Sequence, residues 1–383
     1  MAAELKAELD AVEGYVPQYL YRTTSSTSNG RNSSRSFRPE SPIYTNALSD
    51  LQHQHAKDML EHHLLWHCRP NDQFISWTGS LLWALQHAIR KDFRGDTDVQ
   101  ICVLDTSKIE TCSFFAASDL LRIYRVPDED KLAHRYYEAE YLYHGGLFVH
   151  GCSRTVSLNL LREYGLFTLL PELDDLKFKP DLWKTVESLR ITMVSVLRPV
   201  APIEGRIALQ LASLFEKDFT MPLMVALLSL RRRAPNDSHF LRLVSDYTEP
   251  SRDFSWIIPP YRVNSAEAPE LTNFAQLMNK AYVGTVRTKS QGLDETTELG
   301  SALDALSASF DEVDTTIKQI PQTALTPGVL FQWSAATQAL RNAVYVNWKK
   351  ESGNRWLQSE GSRPKPKPFP ARLPSGRIIS IFD

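Results

Sequence analysis

The sequence predicts an α+β fold in which a mixed half is followed by a mostly helical half. Short β-branched runs alternate with amphipathic stretches over the first 150 residues, and helical spacing dominates beyond residue 153. The chain has 383 residues, more than one domain usually holds, so two folded domains are expected. The predicted boundaries are 15–152 for the α+β domain, 153–350 for the α-helical domain and 351–383 for a basic, proline-rich, disordered tail.

Composition excludes several classes of protein. The formal net charge is -2, so no global field attracts the chain to nucleic acid or to a membrane. The four cysteines show no C-x-x-C spacing and are expected to be reduced thiols. The longest apolar run, 221–230, ends at three arginines and is too short to span a bilayer. The charged N-terminus does not look like a secretory signal, which predicts an intracellular protein, cytoplasmic or nuclear, with no membrane partner. The oligomeric state is left open.

The elements of the first half follow from hydrophobic period and turn residues. Ser80 is the expected N-cap of its central helix, and the polar segment 23–42 is expected to form a mobile loop, a candidate lid. The predicted elements are a helix over 49–67, a strand over 72–78, a helix over 81–90, a strand over 99–104 and a strand over 137–142.

The second half carries helical spacing almost throughout. Its predicted helices cover 156–164, 182–196, 204–217, 221–232, 240–246, 266–282 and 335–348. A further apolar face lies within 299–313.

Three polar clusters occur in a fixed order along the first half. Arg22 follows a short apolar run, Ser76 and Thr78 alternate along one predicted strand, and Glu138 and Glu140 alternate along another. Because side chains two residues apart on a strand share a face, each pair is expected to point into one cleft.

These residue types suit the chemistry of NAD. Loss of nicotinamide leaves an oxocarbenium-like ribose, which a carboxylate hydrogen-bonded to the ribose can stabilise, and Glu140 is the candidate for this role. Glu138 is the candidate to orient or deprotonate an acceptor. Arg22 can bind the diphosphate through its planar fork of donors, and Ser76 and Thr78 can hold the nicotinamide ribose.

At these residues the chain resembles the ADP-ribosyltransferases of the cholera-toxin-like branch, whose pattern is an arginine, a Ser-x-Ser/Thr and a Glu-x-Glu in that order. It is also similar to a fungal domain of unknown function, with shared residue patterns at 140–145 and 222–231. The resemblance covers roughly the first 150 residues. It implies a split antiparallel β-sheet, NAD as substrate, and transfer of ADP-ribose to a protein or nucleic-acid acceptor or simple hydrolysis of NAD.

Two other interpretations stay open. The chain can keep this fold without its chemistry and act as an interaction module, since a fold does not fix a function. A weaker alternative is a metal-dependent hydrolase, because His63 and His67 lie four residues apart in a histidine-rich predicted helix. A solvated or structural role for those histidines is favoured, and no metal site is predicted.

Overall fold

The computed structural model describes residues 2–13, 16–41, 48–67, 70–109, 114–137, 139–175, 182–234, 237–247 and 268–291. The chain divides into two compact units, 1–319 and 320–383, and every described residue belongs to the first. Three predicted features lie outside the described residues, which end at 291: the apolar face within 299–313, the helix at 335–348 and the tail. The predicted domain boundaries stay predictions.

The described strands form two antiparallel sheets. A six-stranded sheet has the order β6-β7-β4-β1-β5-β9, and a three-stranded sheet has the order β2-β3-β8. The strands are β1 (Tyr19–Thr24), β2 (Arg31–Asn32), β3 (Ser36–Arg38), β4 (Phe74–Thr78), β5 (Gln100–Asp105), β6 (Phe114–Ala116), β7 (Glu140–His144), β8 (Leu147–Phe148) and β9 (Ser153–Ser157).

The large sheet is weakly joined at its centre. β1 pairs with β5 through six residues and β4 pairs with β7 through five. Between β1 and β4 the register contains only the pair Tyr21 and Thr78. The described parts of β1 and β4 share no other paired residues, and residues of both strands line one cleft.

Helices make up most of the remaining described chain. They are α1 (Ala2–Val12), α2 (His53–Leu64), α3 (Leu81–Phe93), α4 (Ala117–Ile123), α5 (Leu158–Glu163), α6 (Leu166–Leu169), α7 (Pro171–Asp175), α8 (Leu182–Val194), α9 (Pro202–Ser213), α10 (Lys217–Ser229), α11 (Ser238–Tyr247) and α12 (Pro269–Gln291). The α+β class is confirmed. None of the described helices combines the length and the apolar content needed to cross a bilayer.

Strand alternation divides the core between the two faces of the sheet. Tyr21 and Val103 belong to one hydrophobic cluster, which continues through α3 into the helices of the second half. Leu20 and Trp77 belong to a separate cluster on the opposite face. The second-half helices thus pack in the same core as one face of the sheet, which brings them next to the cleft.

α3 is the central helix of that shared core. Leu81, Leu85, Ala88 and Ile89 are buried along one stripe, as an amphipathic helix requires. Ser80 Oγ accepts the Trp83 N–H at 3.1 Å, so the predicted N-cap is confirmed.

Some predicted elements differ from the structure. The segment 134–137 is a 3-10 helix and β7 begins only at Glu140, so the strand expected over 137–142 was placed too early. The loop expected over 23–42 contains the end of β1 and the strands β2 and β3. β2 pairs with β3, and β3 pairs with β8. The helix expected over 156–164 begins only at Leu158, because β9 occupies the residues before it. Short strands lack enough residues to display a clear period.

Candidate functional site

A cleft lies over the junction of β1, β4 and β7, and α3 and α8 form its other walls. Its volume is about 680 Å³, counting the space open to solvent. Four of the predicted residues line it: Arg22, Ser76, Thr78 and Glu140. The structure therefore brings the three polar clusters to one concavity, and their chemical roles stay predictions.

Ser76 and Glu140 are joined directly. Thr78 and Glu140 face each other in the register of β4 and β7, so Ser76 lies diagonally across on the same face. Ser76 Oγ donates to Glu140 Oε1 at 2.6 Å, a short distance typical of a hydroxyl bonded to a carboxylate. This hydrogen bond fixes the position of the glutamate at the base of the cleft.

The Thr78 hydroxyl forms hydrogen bonds with nearby backbone groups. Its Oγ1 donates to the Ala139 carbonyl and accepts the Ser80 N–H, both at 3.1 Å. The threonine therefore joins the end of β4 to the start of β7 and to the cap of α3, while lining the cleft.

Arg22 reaches the cleft from the other face of the sheet. Tyr21 is opposite Thr78, so alternation puts Arg22 on the side where its guanidinium lies 5.7 Å from the Phe37 ring. Its Nη1 donates to the Ser76 carbonyl at 2.5 Å. This contact spans the gap that the single pair between β1 and β4 leaves, and it places a positive charge beside the Ser76 backbone.

Glu138, the predicted acceptor-side carboxylate, lies outside the described residues. β7 begins two residues later, at Glu140. The expectation that both glutamates share one face of one strand stays a prediction.

Sequence reasoning missed two residues of this site, His63 and Asp72. His63 Nε2 lies 2.7 Å from Ser76 Oγ, and His63 Nδ1 lies 2.7 Å from Asp72 Oδ2. Asp72 Oδ1 in turn accepts the Phe74 N–H at 2.9 Å. Only the histidine-rich composition of α2 pointed to this helix, and it suggested a metal rather than a hydrogen-bonded chain.

The metal hypothesis is not supported by this arrangement. Both ring nitrogens of His63 have polar partners within the protein. Within the described part of the chain, no three histidine, cysteine or acidic side chains are placed to hold a metal ion.

Asp72, His63, Ser76 and Glu140 are linked in a row by hydrogen bonds, so the proton position in one bond affects the next. Ser76 has one hydroxyl proton, so it can donate to Glu140 or to His63 but not to both. If Ser76 donates to Glu140, His63 must donate its Nε2 proton to Ser76 Oγ to keep that contact. If Ser76 donates to His63, Glu140 must instead be protonated and donate to Ser76 Oγ. The protonation of Glu140 therefore depends on the groups behind Ser76.

The environment of Glu140 acts in two directions. Burial raises the pKa of its carboxyl group, while the hydrogen bond from Ser76 and the nearby His63 and Arg22 lower it. Burial is the larger effect, so the carboxyl group holds its proton to a higher pH than an ordinary glutamate.

A stacked pair of aromatic rings lies at the Arg22 end of the cleft. His87 of α3 lines the cleft, and its ring lies 5.4 Å from that of Trp66 at an angle of 30°. Burial, with Lys91, Arg90 and Arg22 nearby, lowers the pKa of His87 to about 3, so this ring is neutral at physiological pH. Trp66 is 55% exposed and has a φ of 60°, a conformation that bulky residues rarely adopt.

The helical half supplies the opposite wall. Trp183 and Arg190 of α8 line the cleft, together with Trp83 of α3 and Tyr136 of the 3-10 helix. Arg190 is buried and forms a two-pronged ion pair with Glu270 of α12, with distances of 2.8 to 3.1 Å. Residues beyond the predicted α+β domain, which ends at 152, thus complete the cleft.

The class of this protein is therefore an α+β protein with an antiparallel sheet, a central cleft and a helical wall. A family model described as a domain of unknown function (DUF7587) matches residues 15–147, about a third of the chain. No curated protein and no solved structure gives a significant match.

The matched segment includes every predicted site residue, and also His63 and Asp72. It does not include Trp183, Arg190 or Glu270. The match ends before the pattern at 222–231, and the predicted similarity to a fungal domain of unknown function stays a prediction. The similarity to ADP-ribosyltransferases stays a prediction.

Proposed function

We propose that this protein cleaves the bond between nicotinamide and ribose in NAD and transfers ADP-ribose to an acceptor or to water. The observation that supports this most directly is the hydrogen bond of 2.6 Å between Ser76 and Glu140 in a cleft that Arg22 also lines. A fixed carboxylate and a guanidinium are what a ribosyl cation attached to a diphosphate requires.

Glu140 is the residue proposed to stabilise the reacting sugar. As the bond from C1′ to nitrogen breaks, its electron pair leaves with nicotinamide and positive charge develops on the ribose. Glu140 Oε1 is held by Ser76, and the other carboxylate oxygen can accept a hydrogen bond from a ribose hydroxyl. This bond strengthens as the charge grows, so it favours the transition state over the substrate.

The groups around Glu140 are proposed to keep it ionised and in place. Asp72 orients His63, His63 positions the Ser76 hydroxyl, and the hydroxyl holds Glu140. The positive charge of Arg22 beside Ser76 lowers the pKa of Glu140 and so opposes the effect of burial. Arg22 is also the proposed ligand of the NAD diphosphate.

The acceptor completes the reaction by bonding to C1′ and losing a proton to a base. Glu138 is proposed for this role, as the sequence predicted. The acceptor is a protein or nucleic acid in a transferase and water in a glycohydrolase. Because NAD is an intracellular metabolite, the proposal is consistent with the predicted cytoplasmic or nuclear location.

The direct test is release of nicotinamide from NAD by the purified full chain. The wild type should release nicotinamide, and Glu140→Gln should reduce the rate by about 10²-fold or more, as loss of a key electrostatic group does. Glu163→Gln is the matched control, since Glu163 is exposed on α5 and does not line the cleft. Equal rates for Glu140→Gln and wild type would refute the role of Glu140.

A second candidate function follows from one specific observation. Ser76, His63 and Asp72 have contacts of 2.7 Å in the order of a serine hydrolase triad. The carboxylate of Glu140 at 2.6 Å from the hydroxyl argues against it, because a negative charge there would repel a developing oxyanion. Covalent labelling of Ser76 by a fluorophosphonate, lost in Ser76→Ala and in His63→Gln, would favour the hydrolase.

An interaction module with no activity is the third outcome. A wild-type chain that neither releases nicotinamide nor reacts with the fluorophosphonate would favour it. In that case the contact of Arg22 with the Ser76 carbonyl serves only to hold the two strands together.

A further inference from the structure

Three aromatic side chains form one wall of the cleft. Trp83, Tyr136 and Trp183, here named the aromatic wall, come from α3, the 3-10 helix before β7, and α8. The ring centres of Tyr136 and Trp183 are 4.7 Å apart, and those of Trp83 and Trp183 are 6.1 Å apart. Trp183 therefore lies between the other two and is the centre of the wall.

The wall is accessible to a ligand. All three side chains line the cleft, and each is only partly buried. The rings meet at tilted angles, 56° for Tyr136 with Trp183 and 52° for Trp83 with Trp183. Rings tilted in this way are not stacked face to face.

The charges around the wall indicate which planar group fits. Arg135 is exposed, and its guanidinium lies 5.1 Å from the centre of the Tyr136 ring. Arg190 lies 6.0 Å from the Trp183 ring, but its charge is neutralised by Glu270. Arg135, whose Nη2 also donates to the Tyr136 hydroxyl at 3.2 Å, thus places a guanidinium at the edge of the wall.

We propose that the aromatic wall binds a nucleobase whose phosphate is directed toward Arg135 or Arg22. Aromatic rings beside arginine are the usual platform for stacked bases, and the wall shares its cleft with Glu140. This inference rests on the proposed function for the source of the base. That source is either the adenine of NAD or a base of an acceptor nucleotide.

The first test uses AMP as the probe and the full chain, without any turnover of NAD. AMP should bind to the wild type, and ribose 5-phosphate, which lacks the base, should bind at least fivefold more weakly by calorimetry. Trp183→Ala should weaken AMP binding by about fivefold to a hundredfold, the range for loss of one stacked ring. Trp183→Phe, which keeps a ring, should retain most of the affinity.

Phe148→Ala is the control variant, since Phe148 is 74% exposed on β8 and does not line the cleft. If Trp183→Ala does not fold, the wild-type comparison of AMP with ribose 5-phosphate and the variant Tyr136→Ala still decide the matter. Equal affinity for the two probes, or unchanged AMP binding in folded Trp183→Ala, would overturn the inference and show a wall that only packs α8 against α3.

Competition identifies the source of the base. If NAD displaces AMP, the wall holds the adenine of NAD itself. If AMP or a short single-stranded oligonucleotide binds to protein saturated with NAD, the wall belongs to the acceptor. AMP binding with no release of nicotinamide would retain the nucleobase site and refute the proposed reaction, so the two proposals fail separately.

Discussion

Two serine–glutamate pairs lie beside the same cleft, and their surroundings differ. Their serines are four residues apart in the sequence. Ser76 donates to Glu140 and Ser80 donates to Glu270, each at 2.6 Å. Glu270 is 2% exposed and also receives both prongs of the Arg190 guanidinium. Glu140 is less buried and has no such ion pair among its described contacts; burial raises its pKa.

The difference separates a structural carboxylate, Glu270, from Glu140, the carboxylate proposed to act in the reaction. The charge of Glu270 is fully compensated, and the pair joins α8, α12 and the N-cap of α3. The charge of Glu140 is only partly compensated, and its side chain lines the cleft. Substitutions at the two pairs should therefore affect different quantities.

The largest expected effect on stability is at the buried ion pair. Glu270→Gln leaves Arg190 buried without a counter-charge, so the free energy of unfolding should fall by about 3–5 kcal/mol. Urea denaturation of the full chain, monitored by tryptophan fluorescence, measures this change. An unfolding free energy within 1 kcal/mol of wild type, roughly the value for an exposed pair, would show that the pair is not buried in solution.

Substitution of Ser80 should affect mainly stability, and substitution of Ser76 should affect mainly activity. Ser80→Ala removes an N-cap and a donor to Glu270 and should lower the unfolding free energy by about 1–2 kcal/mol. Nicotinamide release per folded molecule should not change. Ser76→Ala should have the opposite profile, with release reduced by about 10- to 100-fold through loss of a hydrogen bond to a charged group. If both variants reduced nicotinamide release to a similar extent, the two pairs would not differ in role.

The sequence allowed much of the first pair to be predicted and little of the second. Ser76 and Glu140 belong to short motifs on neighbouring strands, and strand period places them on one face. Ser80 was expected as a cap, but its partner Glu270 is 190 residues away along the chain. Only tertiary packing brings α12 to α3, and no local pattern encodes that contact.

The same limit explains the missed parts of the site. His63 and Asp72 meet Ser76 because α2 packs against the strand that follows it, and composition alone could not distinguish this from a metal site. Trp183 reaches the cleft because the helices share a core with the sheet. Helical spacing identified α8 but not the surface on which it packs.

The contribution of His63 to the Glu140 site can be tested through the pH dependence of the reaction. The rate of nicotinamide release should fall at acidic pH as Glu140 takes up a proton, with a midpoint above that of an ordinary glutamate because burial raises its pKa. His63 lowers the pKa of Glu140, so His63→Gln should move this midpoint to higher pH. His55→Gln, an exposed histidine on the same helix, should leave it unchanged. A lower rate in His63→Gln with an unmoved midpoint would mean that His63 only supports the structure.

The smallest expected effect concerns the stability of the Glu140 site itself. A carboxyl group whose pKa is raised by folding favours the native state below its unfolded pKa, and this contribution is lost as pH rises through the folded pKa. At pH 7.5 the ionised Glu140 therefore destabilises the wild type, and Glu140→Gln should unfold at a slightly higher temperature. The difference should shrink toward zero near pH 4, where the wild-type carboxyl group is also neutral. Thermal unfolding of both proteins across this pH range measures it, and a variant that is less stable at pH 7.5 would place Glu140 with Glu270 among the structural carboxylates.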